Sequence, residues 1–252
     1  LRWFSDTVEY VVSDISIPEV ETAALITIAQ QGFGAWQESA DCTPILRFAG
    51  TTAQEKASFT VGCENENTLV FLTSKSAWSQ QGHSSLEIGK TTLMFSEETG
   101  EIVDADIELN AGGFTFSTSE VTEGSIDLLN TVTHEVGHFL GMDHSLDKEA
   151  TMYAQAPPEE TKKRSLEDDD LAGVCFLYEN FDAPESYYDG ACNPDSPDYP
   201  DVTAEQRPDT NLPVKRNTQG CSSHPAPMHP LSSLFVILLL FHVMVWRRQS
   251  IK

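Results

Sequence analysis

The sequence predicts an α+β domain over residues 1–180, followed by a linker over 181–230 and an apolar tail over 231–252. Three observations support this division. The first 180 residues alternate between short strand-like runs and longer amphipathic helical segments. Nine of the 13 prolines lie between Pro184 and Pro230, among Asp, Ser, Asn and Thr, which indicates a disordered linker. An apolar run then extends from Leu231 to Trp246.

The first predicted elements are a strand and a helix. The run "TVEYVVSD" has the composition of a strand, and Pro18 opens a helical pattern that ends near Ala40. Four side chains of this helix share one face and are predicted to be buried: Leu25, Ala29, Phe33 and Trp36.

The next segments predict one sheet. The runs "PILRFAG", "TLVFLTS", "TTLMFS" and "EIVDADIELN" are short and rich in β-branched or aromatic residues. The turn sequence "EETGE" separates the last two, which indicates that they are neighbouring strands.

Two helices complete the predicted domain. In "SIDLLNTVTHEVGHFLG" the apolar residues recur at helical spacing, and Gly141 provides a stop. In "SLEDDDLAGVCFLY" we expect Ser165 to cap the first turn, where acidic side chains suit the positive end of the helix. The predicted buried stripe of the first of these helices is Leu128, Val132, Val136 and Phe139.

The composition argues against a nucleic-acid partner. The chain has 39 acidic and 15 basic residues, a formal net charge of -24, and would repel a phosphate backbone.

Five widely spaced cysteines form no CxxC pair, so a cysteine zinc knuckle is not predicted. Disulfides are the preferred interpretation, with Cys42–Cys63 and Cys175–Cys192 as the local choice among three pairings. Buried free thiols in a reducing compartment are the alternative. Cys221 is left over in either case.

Three histidines are candidate metal ligands. His134 and His138 are four residues apart, so on a helix they project from one face. If the helix continued, His144 would lie about 15 Å beyond His134, whereas a zinc–nitrogen bond is about 2 Å. The chain must therefore turn back, and Gly141 can adopt the left-handed conformation that allows the turn.

Three neutral imidazoles leave one open position on a tetrahedral zinc ion, which is typical of a catalytic site. Glu135 is then predicted to take a proton from the zinc-bound water and to pass it to the leaving amine. A solvated His/Glu helix face is the alternative interpretation, and the glycine and third histidine at fixed spacing argue against it.

The segment "HEVGHFLGMDH" resembles the HExxHxxGxxH signature of the metzincin zinc endopeptidases, and Ser145 after the third histidine resembles the matrixin branch, the matrix metalloproteinases. In "ATMY", Met152 stands at the matrixin spacing of the methionine turn, although a plain core methionine would also fit. The segments "GFGAWQESADCTPILRFAG", "GEIVDADIELN" and "SLEDDDLAGVCFLY" extend the similarity to roughly Leu1–Tyr178.

The resemblance implies a metzincin-like catalytic domain with a twisted, mostly parallel sheet, an antiparallel edge strand, a long active-site helix and a C-terminal helix. It implies one catalytic zinc held by His134, His138 and His144, with Glu135 as the catalytic residue. It further implies that "TTLMFS" is an edge strand to which an extended substrate adds by backbone pairing, unless it is an ordinary exposed strand.

The sequence also departs from the matrixin pattern. Leu93, Met94 and Asp106 stand where vertebrate matrixins carry histidines for a second zinc, so we expect a single zinc ion. Asp104, Asp106 and Glu108 are candidate calcium ligands, and a solvated acidic strand edge explains them equally well. No cysteine-switch motif is visible, so latency is expected to reside upstream of Leu1. "MYAQAPP" differs from the family's specificity loop, and no cleavage preference is carried over.

The predicted function is that of a secreted or surface-held zinc endopeptidase that acts on extended protein segments. One alternative is a metzincin of another branch. Another is a zinc-binding adhesion module without activity, and the presence of Glu135 argues against it.

The C-terminal tail predicts membrane attachment. The apolar run spans about 24 Å as a helix, somewhat less than the ~30 Å of a hydrocarbon core, and Arg247 and Arg248 follow it. A buried core helix is the alternative. The order of cysteine, apolar run and basic cluster resembles the C-terminal sorting tails of myxobacterial surface proteins. That resemblance implies at least transient surface anchoring, with Cys221 as the modification or processing point.

Overall fold

The computed structural model describes residues 1–59, 65–179 and 214–222. Its strands, in chain order, are β1 (Thr7–Ser13), β2 (Ile45–Thr52), β3 (Thr68–Phe71), β4 (Gly89–Ser96), β5 (Ile102–Leu109), β6 (Phe116–Ser117), β7 (Ile126–Asp127) and β8 (Val214–Gln219). Its helices are α1 (Thr22–Ser39), α2 (Lys75–Gln80), α3 (Leu128–Phe139) and α4 (Asp168–Tyr178), with a 3-10 turn at Lys162–Arg164.

Six strands form the main sheet, in the order β2-β1-β3-β5-β4-β8. Strands β1, β2, β3 and β5 are parallel, whereas β4 runs antiparallel to both β5 and β8. The predicted mostly parallel sheet with an antiparallel edge strand is therefore confirmed. The expectation that "TTLMFS" forms the edge is wrong within the described residues, because β8 pairs with the outer side of β4.

The two long helices pack against each other and against the sheet. The indole Nε1 of Trp36 on α1 donates to the carbonyl oxygen of Thr133 on α3 at 2.8 Å. Phe33 stacks on Tyr10 of β1, with ring centroids 3.7 Å apart, and meets Phe139 of α3 edge-on. All four residues of each predicted helix stripe are buried. Full burial of each large apolar side chain contributes about 1.5–3 kcal/mol, so this layer holds α3 firmly on the sheet.

Two helices begin later than predicted. Pro18 lies in a turn where Ile17 and Val20 exchange backbone hydrogen bonds, and α1 starts only at Thr22. Similarly, α4 starts at Asp168, because Asp170 rather than Ser165 supports its first turn: its Oδ2 accepts the N–H of Glu167 at 2.9 Å.

The disulfide in the structure joins Cys42 to Cys175, with a Cα–Cα distance of 5.3 Å. The predicted pairings Cys42–Cys63 and Cys175–Cys192 are therefore wrong for Cys42 and Cys175. Proximity along the chain was a poor guide, since the fold brings the end of α1 to α4 across a sequence separation of 133. Cys63 and Cys192 lie outside the described residues.

Strand β8 belongs to the range predicted as linker. Residues 214–219 pair with β4 along six consecutive positions, from Thr91↔Gln219 to Ser96↔Val214. This part of the predicted linker is therefore an ordered strand.

No helix within the described residues is long and apolar enough to span a membrane. The apolar run from Leu231 to Trp246 lies outside those residues.

Candidate active site

Helix α3 carries the first two histidines of the motif. His134 and His138 lie one turn apart and are fully buried, with ring centroids 4.8 Å apart. The helix begins where the side chain of Asp127 accepts the N–H of Asn130 at 2.8 Å. This cap and the buried apolar stripe fix the direction in which the two imidazoles project.

The chain reverses after α3, as its glycine predicts. Gly141 has φ +93°, a conformation that residues with a Cβ rarely adopt. The reversal places the ring of His144 4.7 Å from that of His138 and 5.3 Å from that of His134, between centroids. The ligand nitrogens of the three residues all lie within 4.8 Å of one another.

Backbone carbonyls orient the rings on α3. Nδ1 of His134 lies 2.6 Å from the carbonyl oxygen of Thr151, and Nδ1 of His138 lies 2.9 Å from that of Met142. Each ring therefore turns Nε2 toward the centre, the arrangement expected of metal-binding histidines. Nε2 of His134 is buried and has no hydrogen-bond partner among the described residues. A metal ion would satisfy this nitrogen, so the three residues fit the zinc that the motif implies.

Burial also keeps the imidazoles in the form that binds metal. It lowers the pKa of His134 well below the ordinary value and the pKa of His138 to about 3, with the neighbouring histidines adding to both effects. Both rings are therefore neutral at neutral pH, as zinc coordination requires.

Glu135 lies beside the histidines and is fully buried. Its Oε2 accepts the hydroxyl of Thr91 on β4 at 2.8 Å, and its Oε1 accepts the N–H of Cys221 at 3.1 Å. Burial raises the pKa of Glu135 to about 7. A carboxyl group in this range can both take and release a proton near neutral pH.

The strand opposite Glu135 leaves room for its side chain. A Cβ at Gly89 would lie 2.8 Å from Oε1 of Glu135. Glycine at the start of β4 therefore allows the carboxyl group to approach the sheet edge closely.

Met152 lies under α3 and is fully buried. A Cβ at Gly137 would come within 2.1 Å of its sulfur. The turn that carries Met152 is held by the buried Asp170 of α4, whose carboxylate accepts the N–H groups of Thr151 at 2.8 Å and of Met152 at 2.9 Å. The carbonyl of Thr151 also orients His134, so Asp170 indirectly fixes the position of this candidate metal ligand.

The predicted calcium ligands Asp104, Asp106 and Glu108 are all buried on β5. The alternative interpretation, a solvated strand edge, is therefore wrong. Oδ1 of Asp104 has no hydrogen-bond partner among the described residues. Within those residues, two overlapping groups of ligand side chains lie close enough to share an ion, the three histidines and the set His134, Glu135 and Cys221, and neither includes a residue of β5. Calcium binding thus stays a prediction.

The other two acidic residues already accept hydrogen bonds from protein groups. The two oxygens of Asp106 accept the N–H groups of Thr68 at 2.8 Å and Ser58 at 2.9 Å. Oε2 of Glu108 lies 2.6 Å from Nε2 of His83. These contacts explain why both carboxyl groups are tolerated inside the domain.

Cys221, the predicted processing point, is fully buried against the site. Its sulfur lies within 4.8 Å of ligand atoms of His134 and Glu135. The sequence did not predict this contact, because 86 residues separate Cys221 from Glu135. Thr91, Thr151 and Asp170 were missed for the same reason, and no short-range pattern marks them.

Comparison with known proteins agrees with this geometry. The matrixin family model matches residues 2–179. The chain is 30% identical over 179 residues to Metalloendoproteinase 1-MMP of Arabidopsis thaliana, an alignment that covers 70% of this chain and 44% of the relative. It is 25% identical over 163 residues to Matrix metalloproteinase-18 of Xenopus laevis, covering 64% and 30%.

A third relative, Matrilysin of Homo sapiens, is 42% identical over 60 residues, 23% of this chain and 22% of the relative. The chain thus spans less than half the length of these relatives. The family match nevertheless covers the whole region that builds the histidine site. The chain therefore belongs to the matrixin family.

Proposed function

We propose that the chain is a zinc-dependent endopeptidase that hydrolyses peptide bonds in extended protein segments outside the cell. The observation that carries the proposal is the convergence of His134, His138 and His144 beside the buried carboxyl group of Glu135. Membership of the matrixin family supports it.

The three histidines would hold the ion through their Nε2 atoms. Zinc, when bound there, lowers the pKa of a coordinated water to about 7 and polarises a carbonyl group. The protein contributes the fixed orientation of the rings, through the carbonyls of Thr151 and Met142. Burial of the site excludes bulk water and strengthens each of these interactions.

Glu135 would move the proton. As a carboxylate it takes a proton from the attacking water, and as a carboxylic acid it delivers that proton to the leaving amine. Its pKa of about 7 suits both steps. The hydroxyl of Thr91 fixes the position of the carboxyl group while the proton is carried.

Strand β4 would bind the substrate. Its outer edge accepts an extended segment in antiparallel pairing, since residues 214–219 lie there. A substrate that adds to the same edge would pass directly over Glu135, because Thr91 belongs to β4 and contacts Glu135.

The disulfide supports the extracellular location. A bond such as Cys42–Cys175 forms and persists in oxidising compartments. Membrane attachment through Leu231–Trp246 rests on the sequence alone. Deletion of residues 231–252 is expected to move the protein from the membrane fraction to the soluble fraction.

The test is the substitution Glu135→Ala. It is expected to retain about one zinc per chain and to slow hydrolysis of a peptide library by roughly 10²–10⁴-fold, since the residue moves protons and does not bind the metal. In contrast, His144→Ala should weaken zinc binding itself, because it removes one of three ligands. Zinc content and peptide cleavage are followed by metal analysis and mass spectrometry.

The exposed Glu149 supplies a matched control, and Glu149→Ala should leave both measurements unchanged. Hydrolysis by Glu135→Ala at the wild-type rate would contradict the assigned role. A wild-type chain that binds zinc and cleaves no peptide would instead support the adhesion module.

A further inference from the structure

The C-terminal segment 214–222 occupies the cleft of the candidate active site. Upstream of Gly220, strand β8 pairs with β4 from Ser96 to Thr91. Downstream, Ser222 pairs with the segment after the methionine turn: its N–H donates to Ala154, and its carbonyl accepts the N–H of Ala156. The backbone is thus held on both sides of the Gly220–Cys221 peptide bond.

This peptide bond lies between the groups proposed to perform hydrolysis. The N–H of Cys221 donates to Oε1 of Glu135 at 3.1 Å. The backbone of Gly220 lies beside the ring of His144, the third candidate zinc ligand. The carbonyl of Cys221 accepts the N–H of Ile88 at 3.0 Å. The peptide bond to be cut therefore lies next to a candidate metal ligand, and its nitrogen faces the proposed proton carrier.

The segment matches the cleft in shape and in charge. A Cβ at Gly220 would lie 2.2 Å from the carbonyl oxygen of Gly89, so only glycine fits at this position. Lys215 forms an ion pair with Glu97, and Arg216 lines a cavity of about 230 Å³ together with Asp104 and Asp106. A basic strand is thus bound to the edge of a strongly acidic protein.

The Cys221 thiol alone does not account for this arrangement. Its sulfur lies within 4.8 Å of ligand atoms of His134 and Glu135, and these three residues form a second possible metal-binding group that shares His134 with the three histidines. Cys221 directly follows the bond to be cut. Its backbone N–H contacts Glu135, and its backbone carbonyl contacts Ile88.

We propose that the Gly220–Cys221 peptide bond is an intramolecular substrate of this site. The proposal rests on the proposed function. One water is consumed: its oxygen bonds to the carbonyl carbon of Gly220, the bond to the nitrogen of Cys221 breaks, and Glu135 transfers one water proton to the departing amine. The products carry a new carboxylate on Gly220 and a free amino group on Cys221.

Cleavage within one molecule is sterically feasible. The 34 residues from 180 to 213 join α4 to β8 and can reach roughly 110 Å when extended. The cut would separate the folded domain from the apolar run Leu231–Trp246, so it would release the domain from any membrane that the run anchors.

The test follows the intact mass of the full-length chain in mild detergent after zinc is added to metal-free protein. We expect fragments 1–220 and 221–252, formed at a rate independent of protein concentration, and no cleavage of the Glu135→Ala variant. A rate proportional to protein concentration would overturn the intramolecular step.

A peptide library in the same assay separates the two proposals. If the wild-type chain cleaves library peptides while its own Gly220–Cys221 bond stays intact, the segment is not a substrate of the site and the inference fails. If it cleaves neither, the same chain with Asn217→Pro and Thr218→Pro decides between the two proposals. Cleavage of the library by that chain would show that the segment inhibits the site without being cut, and the inference fails. No cleavage by that chain would mean that the proposed function fails.

A second measurement requires no activity. In metal-free Glu135→Ala protein, alkylation of the buried Cys221 by iodoacetamide should be slow. Adding Asn217→Pro and Thr218→Pro should accelerate it by roughly tenfold or more, because one of two adjacent N–H groups must face β4 and proline removes both. The matched double alanine variant should stay protected. Equal labelling of all three proteins, located by peptide mapping, would show that the segment does not occupy the cleft.

Discussion

Gly137 lies in the last turn of α3, one residue before the candidate metal ligand His138. A Cβ at this position would lie 2.1 Å from the sulfur of Met152 and 2.7 Å from Cζ2 of Trp36. Both neighbours are fully buried and enclosed by the core, so neither can move away freely. The close approach of Met152 to α3 thus depends on the missing side chain.

The substitution Gly137→Ala should therefore destabilise the protein, although alanine favours helices by up to about 1 kcal/mol over glycine. Overpacking is expected to lower the free energy of unfolding by about 1–3 kcal/mol and to weaken zinc binding. Gly34→Ala on α1 is the matched control, since its nearest contact would be 3.9 Å away, and it should stabilise the helix. Urea unfolding measures both, and a Gly137→Ala variant as stable as Gly34→Ala would refute the packing argument.

At the scale of single residues, the sequence predicted those residues of the candidate site that lie close together along the chain. The candidate metal ligands His134, His138 and His144 fall within eleven residues, where helix geometry and one glycine determine their positions. Thr91 and Asp170 were not predictable, because they reach the site from other elements. Their contacts depend on the packing of the whole domain.

At the scale of elements, strand β5 carries two buried carboxyl groups with raised pKa values, Asp104 and Asp106. Burial and the neighbouring Asp106 raise the pKa of Asp104 to about 9. The pKa of Asp106 is raised to about 7, chiefly by burial. The folded protein therefore favours the protonated form of Asp104, whereas the unfolded chain ionises it near pH 4. This contribution to stability is fully present below pH 4 and is lost as the pH rises through about 9.

The substitution Asp104→Asn should accordingly stabilise the protein more at pH 8 than at pH 5, in zinc-containing buffer without calcium. The amide keeps the shape of the side chain and cannot ionise. Melting temperatures measure the effect, and Asp6→Asn on the exposed surface is the control. If the calcium prediction holds, added calcium should raise the wild-type melting temperature and leave that of Asp104→Asn unchanged. An equal gain at both pH values would disprove the linkage.

The helices and strands followed from periodicity and composition, because burial of one face imposes its spacing on each element. The boundaries of these elements and the pairing of the strands did not follow from periodicity and composition. Helix α4 begins at Asp168 because a buried carboxylate also serves the turn of Met152, a contact that no local pattern encodes. Strand β8 lies in a proline-rich stretch, and its order comes from pairing with β4.

For the whole molecule, the Cys42–Cys175 disulfide joins the end of the first long helix to the last helix of the domain. The two cysteines enclose strands β2 to β7, helices α2 and α3 and the histidine site. A bond of this kind restricts the unfolded chain over a very long loop, so its expected stabilisation lies toward the upper end of the usual range of about 2–5 kcal/mol.

Replacement of both cysteines by serine should therefore lower the free energy of unfolding by about 2–5 kcal/mol. The double variant avoids a newly exposed single thiol, and urea unfolding under oxidising conditions compares it with the wild type. Peptide mapping without reduction should find Cys42 and Cys175 in one linked peptide. Because the three histidines converge in the folded state, saturating zinc should raise the stability of both proteins equally. Linkage of Cys42 to Cys63 instead, or a double variant as stable as the wild type, would refute the assigned bond.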